Sequence, residues 1–165
     1  MKIQIELAGP PIAKGRARAV AIPGLGVRMY PDAKTAKYED QLRYAATQEM
    51  AGRPLIDGPV RLVVVARFAI PTTWSKKKHA EALAGLIRPC VKPDADNTLK
   101  ICGDGLNMVC WRDDKQVVET SVIKIYAENP GLTIGIATLP LADSPVLAAR
   151  HQSADPIEAL PLFTT

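Results

Sequence analysis

Residues 59–70 read PVRLVVVARFAI, a segment dense in β-branched side chains and broken only by Arg61 and Arg67. Such a run fits a pleated, well-packed strand, and its near-continuous apolar character points to the interior of a sheet rather than an edge. It is too short for a bilayer, which needs about 20 apolar residues in a helix. Other elements arrange themselves around this strand. IQIEL (3–7) alternates apolar and polar residues and predicts a second strand. QVVETSVIKIYA (116–127) and LTIGIATL (132–139) predict two more, joined through ENPG, whose Asn-Pro-Gly content marks a turn.

Helical spacing occurs between the strands. Tyr38, Leu42, Ala45, Ala46 and Met50 fall near one face of a helix over 35–51, with Asp32 or Thr35 as its cap and Gly52 then Pro54 ending it. Residues 71–87 begin as a turn and become a short helix capped by Ser75, and 96–106 form another. Residues 10–26, rich in Pro, Gly and Arg, predict a basic loop. The expected fold class is α+β: a single small domain with a mixed β-sheet and short helices, spanning 1–139. Residues 140–165 turn Ala/Pro-rich and lose periodicity, as expected of a flexible tail.

The chain has 165 residues, 47% of them hydrophobic, and a formal net charge of +4. These values suit one globular domain and favour, without requiring, a polyanionic partner. The amino terminus lacks the apolar core of about 7–15 residues that a signal peptide carries. Cys90, Cys102 and Cys110 are odd in number and show no CxxC spacing, which argues against a disulfide framework or structural zinc. A cytoplasmic, reducing setting is the expectation.

Against this basic background stand two acidic clusters, Asp94/Asp96 in KPDADNTLK (92–100) and Asp113/Asp114 in WRDDKQV (111–117). Pro93 favours an extended entry into Asp94, and residues two apart in an extended segment point the same way. Asp96 suits the cap of the following helix, and Lys100 lies one turn further along the same face. Two carboxylates and an ammonium thus converge. Mg²⁺ takes one or two carboxylates together with water and substrate phosphate, activates water and neutralises charge on the phosphate. A lysine holds phosphate as a point charge. Asp113 or Asp114 supplies a third carboxylate, since only one of two adjacent strand residues faces a given point. DxDN and DD also occur as ordinary turn and cap residues.

These motifs, together with PPIAKGRAR, YPDAKTAKYED, SKKK and a short helix ending in GLN, resemble those of the RusA family of Holliday junction resolvases, in the same order over residues 3 to about 136. The resemblance implies a homodimer that cuts branched DNA at four-way junctions with Mg²⁺, for which Mn²⁺ can substitute. It carries the family's catalytic and metal-binding carboxylates over to Asp94, Asp96 and Asp114, with Lys100 assisting and Asp113 as a neighbour. Expected products are a 5′-phosphate and a 3′-hydroxyl. A two-fold dimer gives a reason for symmetric nicks. The chain departs from the family where LDALN becomes CGDGLN (102–107), since each glycine costs a helix interior about 1 kcal/mol against Ala. Asp104 within it suits a structural role on the helix surface. The alternatives are a nuclease selective for flaps, forks or replication intermediates, and a non-catalytic DNA-binding module.

Lys14, Arg16 and Arg18 form one candidate DNA-contacting cluster, and Lys76 and Lys77, with Lys78, a second; Arg28, Lys34 and Lys37 are further candidates. Trp74 and Trp111 read as packing residues, and the cysteines as small buried or half-buried side chains. ALPLF (159–163) is similar to the short peptide that docks in the bacterial sliding clamp, with Leu160, Leu162 and Phe163 as apolar anchors and Ala159 in place of the usual Gln. A short apolar patch of this kind also arises by chance.

Overall fold

The computed structural model describes residues 1–16, 18–24, 26–30 and 32–139; the tail over 140–165, with Leu160, Leu162 and Phe163, lies outside the described residues. Six strands and three α-helices follow in the order β1 (Lys2–Ala8), β2 (Arg18–Ile22), β3 (Gly26–Tyr30), α1 (Ala33–Met50), β4 (Val60–Ala69), α2 (Lys76–Leu83), α3 (Ala95–Leu106), β5 (Val117–Ala127) and β6 (Gly131–Thr138). The main sheet has the order β1-β6-β4-β5. β6 runs antiparallel to both β1 and β4, and β5 runs parallel to β4. This is the mixed sheet of an α+β domain. None of the helices among the described residues is long and apolar enough to cross a membrane.

β4 is interior, as its apolar run predicts, but its two faces differ. Val60, Leu62, Val64, Ala66 and Phe68 are buried, while Arg61, Val63, Val65 and Arg67 are half-buried. The buried set meets Ile3 and Ile5 of β1, Leu132, Ile134 and Ile136 of β6, and the inner faces of α1 and α3 in one core. β5 and β6 follow each other across ENPG yet are not neighbours, because β4 lies between them.

α1 buries Thr35, Tyr38, Leu42, Ala46 and Met50, a stripe of period 3.6. Asp32 is its cap: the carboxylate accepts from Thr35 N at 3.1 Å, and Thr35 is instead buried within the first turn. α1 packs on α3 at Gly105, where an added Cβ would lie 3.0 Å from the Leu42 Cβ. The glycine that weakens α3 as a helix former therefore leaves room for Leu42 of α1.

Two expectations are corrected. The segment 10–26, expected to be a loop, instead contains β2 (Arg18–Ile22), which pairs antiparallel with β3 (Gly26–Tyr30). Cys90 is exposed, whereas Cys102 and Cys110 are buried, and burial pushes both buried thiols up to about 12. Their folded values lie above the ordinary 9.0, so their contribution to stability is whole below pH 9 and fades as the pH climbs towards 12. Iodoacetamide at pH 8 is expected to label one thiol, Cys90, in the native protein and three in denaturant, as counted by intact mass.

Candidate active site

The first acidic group is set by the start of α3. Asp94 is extended and occupies the cap position, but its carboxylate makes no capping bond. The main-chain carbonyl of Asp94 does the holding instead, accepting from Thr98 N at 3.0 Å and from the Thr98 hydroxyl at 2.9 Å. Thr98 is fully buried and anchors this turn. Asp96, expected to be the cap, lies inside the first turn. The backbone decides the shift: Asp94 already has the extended conformation a cap needs. Asp94, Asp96 and Lys100 are all exposed, with Asp96 and Lys100 four residues apart on one face of the helix.

The second group is built on a turn. After α3, Asn107 and Trp111 bridge, with Met108 N donating to the Trp111 carbonyl at 2.8 Å. Trp111 is completely buried and also bridges Ile56, so it fixes the base of the acidic turn. Asp113 then caps a single 3-10 turn, Asp114–Gln116. Its carboxylate accepts from Lys115 N at 3.0 Å and pairs with Lys115 Nζ at 3.1 Å. The bond from the Lys115 backbone, then that from its side chain, holds this carboxyl below its ordinary value. Asp114 stays exposed beside it.

Gln116 is the residue that sequence reasoning passes over. Its Oε1 accepts from the backbone N–H of Arg112 at 2.9 Å and of Asp113 at 3.1 Å. Its amide nitrogen donates to the carbonyls of Ile56 and Gly58, each at 3.0 Å. One side chain thus ties the acidic turn to the segment entering β4. The Asp113-x-x-Gln116 spacing of a capping box was the available signal.

The basic residues separate by role. Lys14 pairs with Glu39 of α1 at 3.5 Å and with Asp104 of α3, giving Asp104 the structural part expected of it. Gly15, next in sequence, donates its N–H to the Thr35 hydroxyl at 2.7 Å. Arg16 is exposed, and Arg18 opens β2. Lys76 and Lys77 are exposed in the first turn of α2, which Ser75 caps; cations there oppose the helix dipole, so helix stability does not account for them. Lys78 lies 4.1 Å over the Trp74 ring, which meets Tyr126 edge-on at 5.2 Å.

The two acidic groups do not close into one. Asp94 stands at the amino end of α3 and the Asp113–Asp114 turn follows its carboxyl end; a helix of 12 residues spans about 18 Å. Among the described residues no group of three or more His, Cys, Asp and Glu side chains is placed to hold a metal ion. Asp94 and Asp96 alone still meet the donor requirement of Mg²⁺, one or two carboxylates with water and phosphate, and the Asp94 carboxylate is not spent on its cap.

Exposed carboxylates and a lysine thus stand at one helix start, and another exposed carboxylate stands on a braced turn. The chain belongs to the RusA endodeoxyribonuclease family, whose model matches residues 8–137. It is also 37% identical over 138 residues to the uncharacterized protein YqaN of Bacillus subtilis (strain 168), covering 81% of this chain and 94% of that protein.

Proposed function

We propose that this protein is a Mg²⁺-dependent endonuclease that resolves four-way DNA junctions as a homodimer. The observation that carries the reading is a nuclease-family match over 8–137 in a chain whose Asp94, Asp96 and Asp114 carboxylates are exposed. Asp94, Asp96 and Asp114 would hold the metal, which when bound lowers the pKa of water and offsets charge on the phosphate. Lys100 Nζ binds the scissile phosphate. Gln116 orients the turn bearing Asp114, and Thr98 orients Asp94.

The separation of the acidic groups gives the dimer a chemical purpose. β5 is an edge strand of 11 residues, exposing Val118 and Ile123, and an unpaired edge is a template for another strand. Antiparallel pairing of β5 with its own copy sets the start of one strand against the end of the other. Asp114 leads into that start, while Lys124 near the end donates to the Val91 carbonyl just before α3. The pairing therefore carries Asp114 of one copy towards Asp94 and Asp96 of the other. Val118→Lys with Ile123→Lys is expected to yield a monomer in sedimentation and to lose cleavage; a dimer of full activity would place the interface elsewhere.

Arg16, Lys76 and Lys77 are the proposed phosphate contacts, with Arg18 leading into the ribbon; Lys14 is already neutralised by Glu39 and Asp104. Replacing Arg16 by Gln is expected to lower the slope of log K against log salt by about 1, read by junction binding across a salt series.

The deciding experiment incubates the protein and Mg²⁺ with a four-way junction, a Y-fork, a flap and linear duplex. Paired symmetric nicks confined to the junction are expected. Cutting mainly at forks and flaps would favour a broader structure-selective nuclease, and binding with no cutting in any divalent metal would leave only a DNA-binding module.

A further inference from the structure

The β2–β3 ribbon is a well-formed element with no structural partner among the described residues. Its strands pair along their length, Arg18 opposite Tyr30, Val20 opposite Arg28 and Ala21 opposite Val27, yet neither strand packs substantially on another strand or helix. Opposed residues of an antiparallel pair share a face, and successive pairs alternate. Positions 18, 20, 28 and 30 therefore lie on one face, and Ala19, Ala21, Val27 and Met29 on the other. The first face carries two arginine positions and a tyrosine. The second is wholly apolar and open to solvent, with Val27 67% and Met29 62% exposed.

The ribbon is nevertheless firmly rooted. Gly15, just before it, lies so close to Asp32 and Thr35, just after it, that an added Cβ would fall 2.7 Å from the Thr35 hydroxyl and 2.8 Å from the Asp32 Cβ. Lys14 ties the same root to Asp104 on α3, the helix that begins with Asp94 and Asp96. An arm fixed at its base and apolar on one side is built to meet something.

Charge selects the occupant. Residues 13–31 contain Lys14, Arg16, Arg18 and Arg28 and no acidic residue, which suits a polyanion. Phosphates occur on every duplex, however, so the arginines alone recognise DNA without regard to its shape. The apolar face supplies the shape test. In continuous duplex, seating an apolar side chain between bases first costs a few kcal/mol of unstacking; where arms meet, stacking is already interrupted.

We propose that the β2–β3 ribbon is a branch-point wedge, its Val27/Met29 face lying against base surfaces left unstacked where DNA arms meet, while Arg28 meets a flanking phosphate. This inference rests on the branched-DNA reading above and names the element that would make it selective.

The test uses the full chain without divalent metal, so that nothing is cut. Its probes are a four-way junction with 2-aminopurine at the branch and a linear duplex of matching sequence. Val27→Ser with Met29→Ser is expected to weaken junction binding about tenfold, as loss of apolar contact on this scale implies, to abolish the 2-aminopurine brightening and to leave duplex binding unchanged. Arg28→Gln should weaken both substrates alike. A double variant with undiminished junction preference and brightening overturns the wedge, and so does one that loses its dimer in sedimentation, since the ribbon would then be an interface between copies. A wild-type protein that does not distinguish junction from duplex overturns the branched-DNA reading itself.

Discussion

Asp114→Asn is expected to reduce junction cleavage by at least about a thousandfold, on the order of 4 kcal/mol of transition-state stabilisation, with junction binding retained. Asp113→Asn is expected to cut nearly as wild type. The contrast follows from how the two neighbours are used. Asp113 spends its carboxylate on Lys115 N and Lys115 Nζ, and Asn serves a cap almost as well as Asp. Asp114 is exposed on the first residue of the braced turn, and Asn there keeps the shape while removing the charge a divalent cation requires. Acid offers an independent check on the cap. The Asp113 carboxyl lies below its ordinary 3.8 when folded, so its contribution is complete above pH 3.8 and disappears only as the pH drops through that lowered value. Loss of cleavage at milder acidity would then not come from this cap. Single-turnover rates on a radiolabelled junction, beside binding without divalent metal, check the pair; active Asp114→Asn with inactive Asp113→Asn would reverse the assignment.

Strong periodicity made much of the domain legible. The apolar run of 59–70 had to be an interior strand, and Tyr38, Leu42, Ala46 and Met50 had to face a core. The β2–β3 ribbon escaped because alternation is a clear strand signal when one face is buried, whereas Val20, Val27, Met29 and Tyr30 are exposed. The cap of α3 was misplaced by two residues because Asp94 and Asp96 are equally good caps by type, and the choice lies with the backbone at Asp94. ENPG announced a turn but not that β4 would separate the strands it joins, since strand order depends on the whole sheet. For the candidate site, the spacing of the acidic residues did not tell that they fall at the two ends of α3. Spacing along a chain does not say how far apart the fold sets two groups.

Gln116→Ala is expected to destabilise the protein by about 2–3 kcal/mol, the scale of leaving partly buried backbone groups without partners, and so to lower Tm by about 5–10 °C in a chain of this size. The four bonds of Gln116 join two N–H groups of the acidic turn to two carbonyls before β4, so its loss frees the turn from the sheet. Cleavage measured well below the new Tm is expected to fall in kcat more than in KM, because Asp114 remains but is no longer held. Gln116→Glu separates this role from simple polarity. Glutamate keeps an acceptor for Arg112 N and Asp113 N, but it has no donor for the Ile56 and Gly58 carbonyls and sets a charge against both. It should therefore be no more stable than the alanine variant at neutral pH. Recovery of wild-type Tm and kcat by Gln116→Glu would show that the amide donors are dispensable, and that the turn is held by Trp111 and the Asp113 cap alone.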